Sequence, residues 1–229
     1  MAVDMDAALI VDVDGTLVDS AYEHVLAWSR AFRAHDVFVP SWRIHRAVGM
    51  GGDQLVPEVA GRDVEERLGD RIREAERDAF AEYLPNIPAF PGADAFLERC
   101  RALGAQVVLA SSAKTSELDH YLELLDAERL GVRWTNSDDV SRTKPDPDLI
   151  HLALEQVPGA DALMIGDATW DVVAASRAGI PTLGLLTGGY GEDELRAAGA
   201  VEVYPSLETL TAALPQWVRS ADGASDRRG

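Results

Sequence analysis

Cysteine is nearly absent from this chain: Cys100 stands alone among 229 residues. It can form neither an internal disulfide nor a cysteine-based zinc site, and a reducing cytoplasm is the compartment that suits it. Long apolar runs are missing as well. None approaches the ~18 residues of a membrane span, and the start, MAVDMDAALIV, carries acids where a signal peptide carries bases. Bases are scarce: 21 stand against 39 acids, a net charge of −18, with no basic cluster ahead of Arg227-Arg228. That balance excludes nucleic acid and anionic membrane as partners. Only Lys114 and Lys144 are lysines. So acidic a surface repels anionic substrates at long range, so a phosphate can be handled only where local groups and a metal reverse the field.

Several motifs are absent too. No G-x-x-x-x-G-K-[ST] loop occurs, and Gly49-Met50-Gly51-Gly52 lacks the spacing of a dinucleotide-binding turn. Gly15 comes fourth after Asp12, where an EF-hand needs glycine at the sixth position. The five histidines are scattered and form no ligand pattern, and Cys100 falls on an apolar helix stripe.

What is present alternates. Short apolar runs at 7–13, 105–111, 132–135, 162–166, 181–186 and 201–204 read as buried strands. Helical patterns lie between them at 93–103, 147–156 and 170–178, with Asp146 and Thr169 as caps. This alternation predicts an α/β fold with a doubly wound, mostly parallel sheet. Residues 19–87 break the rhythm. They hold one helix near 20–34, with Tyr22, Val25, Leu26, Ser29 and Phe32 at helical spacing, and a longer one at 62–83. The expected organisation is a core of residues 1–18 and 88–218, an inserted all-helical cap of 19–87, and a disordered tail of 219–229.

The chemistry is concentrated where strands end. The first strand runs into Asp12-Val13-Asp14-Gly15-Thr16, the second into Ser111-Ser112, and the fourth into Gly166-Asp167, followed by Asp171. Lys144-Pro145 precedes a helix. In open α/β sheets ligands bind at the carboxyl ends of strands, so these segments converge on one edge. Two carboxylates about 4 Å apart repel by roughly 4 kcal/mol at an effective dielectric near 20. Four aspartates cannot gather there without Lys144 and a cation, and hard oxygen donors favour Mg²⁺.

In this order and detail the four segments resemble the haloacid dehalogenase superfamily. The helical insert after the first motif is similar to the subgroup holding phosphoglycolate phosphatase and β-phosphoglucomutase. The resemblance implies a Rossmann-like core with a mobile cap and a Mg²⁺-dependent phosphomonoester hydrolase working through an aspartyl phosphate. Asp12 would be the nucleophile and Asp14 the general acid and base. Asp12, Asp14 (through its backbone carbonyl), Asp167 and Asp171 would surround the metal. Thr16, Ser111, Ser112 and Lys144 would meet the phosphoryl group. In the cap, Arg46 and Gly49, within residues 46–53, are the expected contacts to the leaving group. The partner implied is a small phosphorylated metabolite, and the protein would be a monomer or homodimer. Gly166-Asp167, where the mutases carry Glu-Asp, places the chain on the phosphatase side. Sugar-phosphate mutase activity and a non-catalytic phosphate-binding role are the alternatives.

Overall fold

The computed structural model describes residues 7–218; the tail expected at 219–229 lies outside the described residues. The elements follow in the order β1 (Ala8–Val11), α1 (Ala21–Ala34), α2 (Ser41–His45), α3 (Gly52–Ala60), α4 (Arg62–Ala81), α5 (Ala93–Ala102) and β2 (Gln106–Ala110). The chain continues through α6 (Thr115–Leu124), α7 (Ala127–Leu130), β3 (Arg133–Thr135), α8 (Asp148–Glu155), β4 (Ala162–Gly166) and α9 (Thr169–Arg177). It closes with β5 (Thr182–Leu185), α10 (Glu192–Ala198), β6 (Glu202–Tyr204) and α11 (Leu207–Trp217).

Among the described residues the six strands form one sheet, all parallel, in the order β3-β2-β1-β4-β5-β6. β1 lies at the centre, where strand order reverses, and every residue in it is buried. Leu9 and Val11 face one apolar layer with Phe96, Leu97, Leu118 and Leu210; Ala8 and Ile10 face the other with Leu149, Ile150 and Ala174. Burial on both faces is why β1, β2 and β4 read as continuous apolar runs rather than alternating ones.

The helices between residues 21 and 81 pack around their own cluster, including Val25, Trp28, Phe32, Ile44, Leu55, Val56 and Ile72. The two chain crossings that join them to the sheet run side by side. Val18 bridges Ala89, the Asp19 N–H donates to the Pro88 carbonyl at 3.0 Å, and the Phe90 N–H to that of Leu17 at 2.9 Å.

Three local expectations shift. Tyr22 and Leu26 are more than half exposed, because α1 turns Ala21, Val25, Trp28, Ser29 and Phe32 inward instead. Helix α8 starts at Asp148, with Pro147 rather than Asp146 at its cap position. Thr169 is the first residue of α9, and the Ala168 N–H is capped by the Asp171 carboxylate at 3.0 Å.

Candidate active site

Asp12 follows the last residue of β1, and its N–H donates to Ile165 at 2.9 Å, so the register of the β1–β4 pair sets Asp12 beside the end of β4. The chain then turns sharply at Gly15, whose φ of 76° is open to glycine and costly for other residues. Three glycines make room for the acids. A Cβ on Gly15 would lie 2.4 Å from an Asp167 oxygen, one on Gly188 1.7 Å from the same carboxylate, and one on Gly166 2.5 Å from Asp171.

Lys144 is fully buried at the middle of this group. Its ammonium donates to Asp12 Oδ1 at 2.5 Å and to the Ala110 carbonyl at 3.1 Å, and lies 2.7 Å from Asp171 Oδ1. Two hydrogen bonds and one close ion pair thus surround the ammonium. Burial alone would lower the Lys144 pKa, but Asp12 and Asp171 together raise it. Asp12, Asp167 and Asp171 each place a carboxylate oxygen within 4.8 Å of the others. One ammonium cannot balance three carboxylates. Burial, reinforced by Asp171 and only partly offset by Lys144, pushes Asp12 up to about 8. Burial with the same neighbours raises Asp167 well above the carboxylate range. A glycine-lined pocket of hard oxygen donors with surplus negative charge fits a divalent cation of the Mg²⁺ type.

Thr16 donates to Asp167 Oδ1 at 2.7 Å, so its hydroxyl orients that carboxylate. Asp14 turns away from the cluster. Ser20 donates to its Oδ1 at 2.7 Å, and the Ser111 hydroxyl reaches Oδ2 at 3.4 Å. His24 Nε2 lies 3.2 Å from Asp14 Oδ1, while Nδ1 lies 3.2 Å from Glu76 Oε1, and the ring stacks on Phe80 at 3.8 Å between centroids. Burial opposes charge on each of these groups, yet the hydrogen bonds win. They hold His24 well above its usual range and Asp14 below its own. The proton therefore sits on the imidazole.

His24 and Glu76 were not anticipated from the sequence. The available signal is Glu76 itself, a carboxylate interrupting the apolar face of α4 between Ile72 and Ala79 and 7% exposed. Buried acids of this kind need a partner.

A cavity of about 570 Å³ opens on Asp12 and Asp14, and Ser112 and Gly49 line it. Gly49 packs closely over the core, where a Cβ would stand 2.9 Å from that of Ala168. Arg46 is placed elsewhere. Its guanidinium pairs with Glu194 at 2.9 Å and lies 5.0 Å from the centre of the Tyr190 ring, while its carbonyl accepts from Trp170 and Tyr190, both at 2.9 Å. In this structure Arg46 fastens the loop of residues 46–53 to the sheet unit.

A parallel sheet with a buried aspartate at the end of its central strand, a lysine across from it and an acidic pocket beside it defines an α/β protein with a charged site at the carboxyl edge of its sheet. The chain belongs to the haloacid dehalogenase-like hydrolase family, whose model matches residues 7–179. It is 30% identical over 193 residues to a validoxylamine A 7'-phosphate phosphatase of Streptomyces hygroscopicus subsp. limoneus, spanning 78% of this chain and 84% of that one. A phosphoglycolate phosphatase of Rhodospirillum rubrum is 28% identical over 236 residues, with 98% and 96% covered. Among solved structures, a hydrolase from Pseudomonas syringae superposes with a TM-score of 0.86 at 34% identity, over 92% of this chain and 98% of that one. No helix among the described residues is long and apolar enough to cross a membrane.

Proposed function

We propose that the protein is a Mg²⁺-dependent phosphatase that hydrolyses a small phosphomonoester through a phosphorylated Asp12. The observation that carries this reading is the Asp12 carboxylate, held by Lys144 and facing the cavity while 96% removed from solvent. A fixed carboxylate can attack phosphorus in line and divide hydrolysis into two easier displacements. Lys144 keeps Asp12 oriented and offsets charge on the transferring group. Asp12, Asp167 and Asp171 would hold the metal, with Thr16 fixing Asp167; when bound, Mg²⁺ neutralises the phosphoryl oxygens. Ser112, just past β2 and lining the cavity, would meet the phosphoryl group; Ser111 is buried beneath it, its hydroxyl between Asp14 and the Ala113 N–H.

Asp14 is the proton carrier in this scheme. Its partner His24 holds a proton on Nε2 against Asp14 Oδ1, while Glu76 holds Nδ1. That proton passes to Asp14 and then to the leaving oxygen, and Asp14 takes one back from the water that cleaves the intermediate. The helices of residues 21–81 act as the cap, hinged where 17–20 and 85–91 run together, and exclude water during transfer.

Phosphate release in Mg²⁺ from a phosphomonoester panel tests the reading, and leaving-group dependence tests the acid. Asp14→Asn is expected to lower turnover of alkyl phosphates by about 10²–10⁴. It should affect p-nitrophenyl phosphate far less, because that leaving group departs without a proton. Equal losses on both substrates would remove Asp14 from proton transfer.

The metal is tested without turnover. At a hundredfold excess over its Kd, Mg²⁺ adds about 2.7 kcal/mol to the folded state. For a chain of this size that raises the melting temperature by roughly 5–10 °C. Asp167→Asn should abolish most of this shift, and an unchanged shift would mean that Asp167 is not a ligand.

A further inference from the structure

The cavity at Asp12 extends past Asp14 to a volume of about 570 Å³, the lower-middle range for small-molecule sites and more than an orthophosphate fills. Two acids from different elements line it. Glu76, on α4, is 7% exposed; its Oε1 engages His24, and its Oε2 accepts no hydrogen bond among the described residues. Glu117, in the first turn of α6 and half-buried, accepts none either, yet both line the cavity. The cations nearby are committed or exposed. Arg73, Lys114 and Arg77 line the cavity as well, but Arg73 is tied to Glu65 and Asp70, Lys114 is tied to Asp138, and Arg77 is exposed.

We propose that these two acids select a phosphomonoester whose leaving group carries a protonated amine, an amino-sugar or aminated-polyol phosphate, with Glu117 accepting the ammonium. The proposal rests on the phosphatase reading above. Bringing a carboxylate-bearing leaving group to Glu76 and Glu117 would add a negative charge beside two acids in a half-buried space. A neutral polyol would donate hydrogen bonds but leave the charge in place. An ammonium supplies donors and charge together, and charge-assisted bonds are the stronger kind. The state of Glu117 agrees. Burial, with Glu76 and Asp14 nearby, pushes it up to about 7 against the opposing pull of His24 and Arg77. The cavity as built is short of positive charge at that carboxyl.

Calorimetric binding to the Asp12→Asn protein in Mg²⁺, where turnover cannot interfere, tests the proposal. Glucosamine 6-phosphate and glucose 6-phosphate differ only in the amine, and phosphoglycolate supplies the carboxylate. The amino sugar is expected to bind about tenfold or more tightly than glucose 6-phosphate. Adding Glu117→Gln should collapse that ratio toward one, and Glu117→Lys should shift preference toward phosphoglycolate. Equal affinities, no measurable binding of the amino sugar, or a preference that survives Glu117→Gln overturns it. The hydrolytic reading is judged separately. Failure of the native protein to release phosphate from p-nitrophenyl phosphate in Mg²⁺ would remove it, while the binding ratio still decides the amine.

Discussion

Asp12→Asn is expected to abolish turnover on every phosphomonoester while leaving the fold intact. The amide keeps the size of the carboxylate but loses the charge and lone-pair strength that attack phosphorus. Losses of about 10⁴–10⁶ are the scale seen when an enzyme's nucleophile is removed. Stability should not fall with it. Burial is the largest influence on Asp12 and pushes its pKa from 3.8 up to about 8, so the folded protein disfavours the charge that the variant deletes.

The linkage has a definite sign. In the metal-free native protein this raised pKa contributes stability below about 4 that is lost as pH rises through about 8. The melting temperature of the native protein should therefore decline across that window more steeply than that of Asp12→Asn. Phosphate release at the native rate, with mass spectrometry showing the amide intact, would sink the nucleophile assignment.

Lys144→Met should cost both activity and stability. The ammonium is fully buried, touches Asp12 and Asp171, and caps the Ala110 carbonyl. Methionine fills a comparable volume but leaves two buried carboxylates facing one another. Removing one partner of a buried ion pair typically costs about 3–5 kcal/mol. Losing the ammonium would raise the Asp12 pKa further, which relieves part of that cost but keeps a larger share of the carboxyl protonated at neutral pH. Mg²⁺ should restore some of the melting temperature, because it returns positive charge to the cluster, but little of the turnover. Lys144→Arg should also fail, since a planar guanidinium cannot occupy the position of a point charge inside closed packing. Chemical denaturation and steady-state kinetics decide this together. Native stability and turnover in Lys144→Met would show the ion pair to be incidental.

Much of this protein is local in origin, and that part could be read from the chain. The runs around β1, β2 and β4 are continuous in apolar residues because central parallel strands are buried on both faces, and this requires no knowledge of their neighbours. Ligands bind where such strands end, so Asp12, Ser111 and Asp167 could be placed on a common edge from their positions alone. Lys144 fitted the charge balance, since converging carboxylates require a cation and Lys144-Pro145 stands just before a helix.

What remained hidden depends on distant pairings. Nothing local tells that His24 meets Glu76, 52 residues away, or that their link ends on Asp14. Helical spacing admitted Tyr22 and Leu26 to the inner face of α1, and packing into the cluster with Ile44, Leu55 and Ile72 buried Trp28 instead. Arg46 was near the cavity in sequence, but its side chain is long enough to choose among several acids, and packing beside Tyr190 directs it to Glu194. Sequence determined the sheet, its chemical edge and the residues gathered there, because strand burial and charge compensation act on segments. Tertiary structure alone decided the hydrogen-bond partner of Asp14, the acids lining the cavity beside it and the fastening of the 46–53 loop, because each depends on how one helix lies against another.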